Sequence, residues 1–392
     1  MSSWAKRRLD ELADLCLGKM LDAAKNRGEE LPYLANVNVR WGTFDLDDLR
    51  LMRFEPGERD RYGLRHGDIV MCEGGEPGRC AIWKEAVPGM MIQKALHRIR
   101  ARDGVDQRFL YYSFLHMGVT DRFSHLFTGA TIKHLPGQNL AKLEIRLPCL
   151  DTQRVVADRL SDLDDLIDNN RRRIKLLEDS VRLLFDEWFT RNHVPPGLQA
   201  VNGEGPRHFS VADLCEDVKV QVLPEVLDAD VPYLGLEHLP RRSTTLCEWG
   251  NAADVSSTKL RYEVGDIVFG KIRPYFHKVG IALTDGVCSS DAIVMRSKAP
   301  HWQSLLLALV SSDEFIAATA QGMKEGSKMP RADWKQMKAY KVCVPSQQAL
   351  AAFNAVVDPV LQQSKTLALQ VRSLRTARDL LLPRLMSGEL TV

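Results

Sequence analysis

The word GDIV occurs twice in this chain, at Gly67–Val70 and at Gly265–Val268. It belongs to a longer repetition that constrains the fold more than any other feature. LPYLANVNV from Leu31 is echoed by VPYLGLEHL from Val231, an offset of 200 residues. The GDIV words are offset by 198. GMMIQKALHRIRARDG from Gly89 is matched by GVCSSDAIVMRSKAP from Gly286, at an offset of 197. TGATIKHLPGQNLAKLEIRLP, ending at Pro148, is matched at the same 197 by EGSKMPRADWKQMKAYKVCVP, ending at Pro345. Four stretches in one order at nearly one spacing describe a domain built twice, not a recurring turn.

Each copy has two parts. Residues 1–150 and 194–345 are of mixed character, with short β-rich runs (GDIVM, AIVMRS, LEIRLP) among Gly/Pro turns and a few short helices. Residues 151–193 and 346–392 read as long helices. No Gly or Pro occurs from Leu150 to Val194. Apolar residues there recur in alternating steps of four and three: Val156, Leu160, Leu163, Ile167, then Ile174, Leu177, Val181, Leu184 and Trp188. Asn170 alone interrupts the seam, the kind of polar residue that fixes register. The 197 offset carries the seam to Phe353, Val357, Val360, Leu367, Val371, Leu374, Leu381 and Leu385, with Ser364 and Arg378 at the two remaining positions. Pro359 predicts a kink, or a regular helix that starts there.

Two narrow seams most simply bury each other, and the globular segment between them in sequence makes them antiparallel. The fold class that follows is α+β: two similar mixed α/β heads separated by two long antiparallel coiled-coil helices, with a pseudo-two-fold internal repeat and a dumbbell outline. An ordinary amphipathic helix lying on its own head is the alternative.

Composition excludes several classes. The longest strongly apolar run is LLLALV at Leu305–Val310, too short for a membrane span. The N-terminal MSSWAKRRLDELADL has charge but no apolar core behind it, unlike a signal peptide. The eight cysteines form no CxxC pair, which suits a reduced cytoplasmic protein without structural zinc. A net charge of +2 argues against an indiscriminate polyanion binder, not against one with localised basic residues. Walker A, GxGxxG and HExxH patterns are missing. CEGGEPGRC (Cys72–Cys80) and GMKEGSK (Gly322–Lys328) read as surface turns. The carboxylates of Asp158–Asn170 read as a solvated helix face rather than a metal site. Arg171–Lys175 is either a nucleic-acid patch or the cationic half of i,i+4 pairs. With no catalytic residues and no metal site, the chain reads as a binding protein or subunit.

Both heads concentrate basic and polar residues in two places. After the first GDIV strand come Glu73 and Arg79; after the second come Lys271, Arg273, Tyr275, His277 and Lys278. Before the last strand of each head lie Thr131, Lys133 and His134, and then Lys328 and Arg331. Arg and Lys there suit phosphates or guanine edges; solubilising surface charge is the alternative. HRIRAR places Arg98, Arg100 and Arg102 on one side of a strand, as a patch or as a solvated sheet face. About 40 helical residues span about 60 Å. Major-groove faces on one side of B-DNA recur at about 34 Å, so two heads on such a rod could sit more than one turn apart.

These stretches resemble the specificity subunits of type I restriction–modification systems. The resemblance rests on LRHGDIVMCEGG, on GDIVFGK, and on GATIKHLPGQNLAKLEIRLPCLDTQRVVADRLSDLDDLID. It also rests on LLFDEWF and on the closing LRTARDLLLPRLMSGEL. It implies two target-recognition domains (residues 1–150 and 194–345), each reading one half of a bipartite double-stranded DNA site. It implies that the central helix (151–193) and the C-terminal helix (346–392) pair, set the spacing and dock two modification subunits, with restriction subunits joining for cleavage. S-adenosylmethionine, ATP and Mg would then be held by those partners, and no cofactor, metal or membrane by this chain. The two head–helix junctions differ in that Leu350 stands where the first has Gln153, a difference expected to bear on the partner-binding surfaces. Two other readings are a stand-alone DNA methyltransferase or nuclease, whose [ND]-P-P-[YF] motif is missing, and a coiled-coil scaffold whose heads bind proteins.

Overall fold

The computed structural model describes residues 4–22, 26–199, 205–321 and 329–390. They form two compact units. One runs up to Asp165 and resumes at Thr376; the other is Leu166–Arg375.

Each unit answers what GDIV is for. In the first, Gly67 takes φ +88°, which a side chain would resist, and turns the chain into the strand Ile69–Cys72. Asp68 closes that turn: its Oδ2 accepts from the Arg65 backbone N–H at 2.8 Å. The same carboxylate receives the Arg100 guanidinium in a two-point pair, Nε to Oδ1 at 2.7 Å and Nη2 to Oδ2 at 2.6 Å. In the second unit Gly265 takes φ +93°. Asp266 accepts from the Glu263 N–H at 2.8 Å and from Arg296 at 2.8 Å twice. Ile and Val follow because the strand is covered on both faces. Ile69 and Met71 face one core with Ile99 and Phe109, while Val70 and Cys72 face another with Leu34, Trp83 and Leu96. Burying each such side chain contributes about 1.5–3 kcal/mol.

The strand sits third in an antiparallel sheet ordered Ala13–Leu17, Leu96–Ala101, Ile69–Cys72, Cys80–Ile82. The second unit repeats this order as Cys215–Val218, Ala292–Ser297, Ile267–Gly270, Val279–Ile281. A second sheet in each unit contains one parallel pair, Glu29–Leu34 with Met91–Ile92 and Pro232–Leu234 with Gly286–Cys288. The two ends of each copy also pair: Ala5–Arg8 with Glu144–Leu147, and Arg207–Ser210 with Lys341–Val344. The mixed α/β repeat expected from the offsets is therefore present in these shared strands.

HRIRAR is neither a free patch nor a solvated face. Arg98 is 8% exposed and donates to the Gly63 carbonyl at 2.9 Å. Arg100 holds Asp68, and Arg102 pairs with Asp14 at 2.7 Å.

The long helices are Leu150–Phe185, which ends in a π-type turn Asp186–Thr190, and Gln347–Met386. Within each unit they pack antiparallel. In the first, Val156, Ala157 and Leu160 share a core with Leu382, Leu385 and Met386, and Arg378 reaches Asp164 at 2.8 Å. In the second, Ile174 packs with Leu367 and Ala368, and Val181, Phe185 and Phe189 with Leu350, Phe353 and Val357. Asn170 donates to the Gln370 side-chain oxygen at 3.3 Å. The seam residues are all buried or half-buried. The seam serves the heads as well, because the same clusters contain head residues such as Phe109 and Phe315. Pro359 does not start the helix, which begins at Gln347 and runs through it. Pro359 and Ala355, whose carbonyl loses its partner, are both exposed, so water can take the freed group.

The difference between Gln153 and Leu350 is internal. Gln153 is 1% exposed, accepts from the Asp106 N–H at 2.9 Å and donates to the Pro148 carbonyl at 2.9 Å. Leu350 is buried in the second core. Both side chains are buried.

Glu178 of the central helix is 8% exposed and fastens the Ser243–Thr245 loop. Its Oε1 accepts from Ser243 Oγ at 3.0 Å and from the Thr244 and Thr245 N–H groups at 2.9 and 2.7 Å. Burial pushes its pKa up despite those donors.

Two outcomes follow. Asp68→Ala leaves Arg100 half-buried and unpaired and destabilises the first unit by about 2–3 kcal/mol, below the ~3–5 of a fully buried pair because the Arg100 side chain is 28% exposed; urea denaturation measures the loss. Glu178 holds its proton more tightly folded than unfolded, so its contribution is present at low pH and falls as pH rises above the ordinary carboxylate range of about 4. Glu178→Gln keeps an acceptor without the charge. Its stability relative to the parent should therefore rise between about pH 4 and pH 7.5 in paired urea titrations.

Candidate nucleic-acid interface

In each unit the strand that starts at GDIV ends in a loop, and a second segment from far along the chain lies beside it. In the first, that segment is a hairpin in which Thr128 and His134 exchange both backbone hydrogen bonds at 2.8 Å. His134 also bridges Gly74, and the Leu135 N–H donates to the Glu73 carbonyl at 2.7 Å. Gly74 allows this approach, since a Cβ there would meet His134 Nδ1 at 3.1 Å. Beneath the junction lies His97, 1% exposed, whose Nε2 is 2.8 Å from the Leu135 carbonyl. A carbonyl only accepts, so Nε2 carries the proton, and burial holds the imidazole below its usual pKa and neutral.

The second unit uses the same plan. Ile272 bridges Arg331, the Arg273 N–H donates to the Pro330 carbonyl at 2.9 Å, and the Ala332 N–H to the Lys271 carbonyl at 2.8 Å. The structure thus joins, in each head, the two sequence regions that carry the candidate residues.

The candidates divide by exposure. Thr131, Lys133 and His134 are exposed on the hairpin, and Glu73 is half-buried at its base. Arg79 is spent within its loop: its side chain is 14% exposed, with Nη1 on Glu76 at 2.7 Å and Nη2 on the Asn36 carbonyl at 2.9 Å. In the second head Arg273, Tyr275 and Arg331 are exposed and Lys271 is half-buried, its Nζ donating to the Ser290 carbonyl at 2.9 Å. Lys278 donates to the Leu236 carbonyl at 2.5 Å, and burial lowers its pKa. His277 is buried, with Nε2 at 3.4 Å from Asp313 and 3.3 Å from Arg242. Lys328 lies outside the described residues.

Arg273 and His277, both at φ +51°, bracket the turn Pro274–Phe276. Left-handed backbone at a non-glycine residue costs about 1–3 kcal/mol and gathers at functional loops. Two further residues belong with these groups. Ile132 is 66% exposed at the hairpin tip, and Asp291 pairs with Arg331 at 3.1 Å. An apolar tip can meet a thymine methyl and a carboxylate can accept from a cytosine amine. Only the oddity of an isoleucine in a polar turn marked the first in sequence; nothing marked the second. Among the described residues no group of His, Cys, Asp and Glu is placed to hold a metal ion, and no helix is long and apolar enough to cross a membrane.

Gly129, at φ +92°, closes the hairpin, and a Cβ there would lie 2.2 Å from the Ile132 carbonyl. Gly129→Val should open the tip, with faster amide exchange at Thr128 and His134 and little change elsewhere in the unit.

Known proteins place this arrangement. The model of the type I restriction modification DNA specificity domain matches residues 1–179. The MjaIX specificity subunit of a type I restriction enzyme from Methanocaldococcus jannaschii is 23% identical over 347 residues, 83% of this chain and 78% of that one. The EcoDI specificity subunit from Escherichia coli is 22% identical over 73% of this chain and 71% of its own. The crystal structure of a type I restriction–modification S subunit from M. genitalium superposes with a TM-score of 0.58 at 18% identity, covering 98% of this chain and 96% of that one, a likeness of fold. The resemblance carried by the motifs therefore holds: the chain over most of its length is similar to type I restriction enzyme specificity subunits.

Proposed function

We propose that this chain is the DNA-recognition subunit of a type I restriction–modification complex, each head reading one half of a bipartite duplex site. The observation that carries this reading is the duplicated pair of adjoining segments, alike in the backbone bridge that joins them and different in exposed side chains. One scaffold used twice with different side chains suits two different half-sites. Thr131, Lys133, His134 and the Ile132 tip would face the first half-site; Lys271, Arg273, Tyr275 and Arg331 the second. Arg79, Lys278 and His277 would hold the loops in shape.

The chain acts as a specificity subunit and not as a catalyst. Two modification subunits docked on the long helices would carry S-adenosylmethionine and act on a base flipped from the stack. Restriction subunits with ATP and Mg would join for cleavage, in the cytoplasm. The helices connect the heads in sequence, so their length would set the spacer.

Thr131→Ala with Lys133→Ala should weaken recognition of one half-site, and Arg273→Ala with Arg331→Ala the other, by about 1–3 kcal/mol for each good base contact. Mapping the methylated sites of the assembled complex on random duplex libraries reads this directly. Equal weakening on every duplex with a shallower salt dependence would assign these residues to phosphates and sink their role as base readers.

A further inference from the structure

The first unit carries a groove of about 500 Å³ that none of the recognition-loop residues line. Its walls come from the end of the helix Gln107–Val119, the turn at Arg122–His125, the strand Glu144–Leu147 and Met386. Six basic side chains face it: Lys6, His116, Arg122, His125, Lys142 and Arg146. One carboxylate lines it, Glu144, and Lys6 already holds that at 2.9 Å. Among the described residues Arg122, His125, Lys142 and Arg146 have no ion-pair partner, and His116 Nδ1 is buried without a hydrogen bond. The floor is apolar: Met117, Leu143, Ile145 and Met386 are buried.

The duplication supplies a control. The two copies stay in step from Thr128 to Pro148 at the 197 offset, and the second has Ala339 and Cys343 where the first has Lys142 and Arg146. It forms the same strand pair, Arg207–Ser210 with Lys341–Val344, without those cations. The charges are therefore not what the fold requires. Gathered unpaired around one concavity, they repel each other until an anion arrives.

Guanidinium groups match phosphate geometry, and polarizable thioethers and aliphatic side chains match the flat face of a base. A groove of this size suits a ligand of nucleotide dimensions. A duplex keeps its bases stacked and offers phosphates on a convex surface, so it would meet the rim and not the floor. An unpaired nucleotide reaches both. We propose that this groove binds a nucleotide by its phosphate, either free or as a unit of a single strand, at a site separate from the loops that read the duplex.

The test is calorimetric titration of the full chain with adenosine diphosphate and with tetrathymidylate, in parallel with Arg122→Ala/Arg146→Ala and Thr131→Ala/Lys133→Ala. Saturable binding is expected for at least one probe. It should weaken about tenfold or more in the groove variant and stay unchanged in the loop variant. Both variants change exposed side chains, and an unchanged melting temperature checks folding. Lys142→Glu gives a second reading by charge reversal. Preference for the diphosphate assigns a free nucleotide; preference for the oligonucleotide assigns a strand. The proposal fails if the unmodified chain saturates with neither probe at about millimolar concentration, if the loop variant loses binding as much as the groove variant, or if an oligoglutamate peptide binds the groove as well as either probe. Absence of sequence-specific duplex recognition by the assembled complex of the unmodified chain, with this binding intact, would instead count against the reading of the heads.

Discussion

The two-point pair between the GDIV aspartate and an arginine on the neighbouring strand fixes the strand from which each candidate loop springs. Asp68 is 2% exposed and Asp266 3%. Each carboxylate closes its own turn through a backbone N–H and ties that turn across the sheet to Arg100 or Arg296. The turn fixes where the strand begins, the two cores fix which residues face which side, and the strand's far end is the root of the loop. A one-residue slip would put Ile69 and Met71 into the pocket made for Val70 and Cys72 and would detach the carboxylate from its arginine. The loops can differ because the frame beneath them does not.

That frame was legible in sequence because each letter of the repeated word has a physical task. Glycine supplies a left-handed turn, aspartate supplies acceptors, and the apolar residues fill two cores. Four repeated stretches at nearly one offset then gave two heads, and the step of four and three gave the helix seam. What stayed hidden depended on three-dimensional neighbours. Arg79 and Lys278 look like surface cations until the carbonyls of Asn36 and Leu236 are seen to hold them. Gln153 looks like a surface polar residue until Asp106 and Pro148 close over it. The basic groove draws its cations from between Lys6 and Arg146, and no window of sequence contains that cluster.

Duplication followed by divergence separates what the fold needs from what each copy does. The aspartate–arginine pair, the sheet order and the pairing of terminal strands occur in both copies. The exposed loop residues do not: Thr131 and Lys133 on one side correspond to Lys328 and Pro330 on the other. The groove follows the second pattern, with Lys142 matched by Ala339 and Arg146 by Cys343. Charge that one copy has and the other folds without is not what the fold requires.

The helix seam has its own division of labour. Apolar contacts hold the helices together and are tolerant of register, because one leucine fits a hole much like the next. Polar positions are not tolerant. Asn170 has a partner only where Gln370 stands opposite, and Arg378 only where Asp164 does. Asp164 also accepts from Tyr112 at 2.8 Å, so that pair ties helix register to the first head. In the second unit Glu178 does the same through the Ser243–Thr245 loop. Shifting either helix by a turn would leave buried amide, carboxylate and guanidinium groups unpaired within both units. Each such group costs about 1–3 kcal/mol or more, whereas the apolar seam alone would lose little.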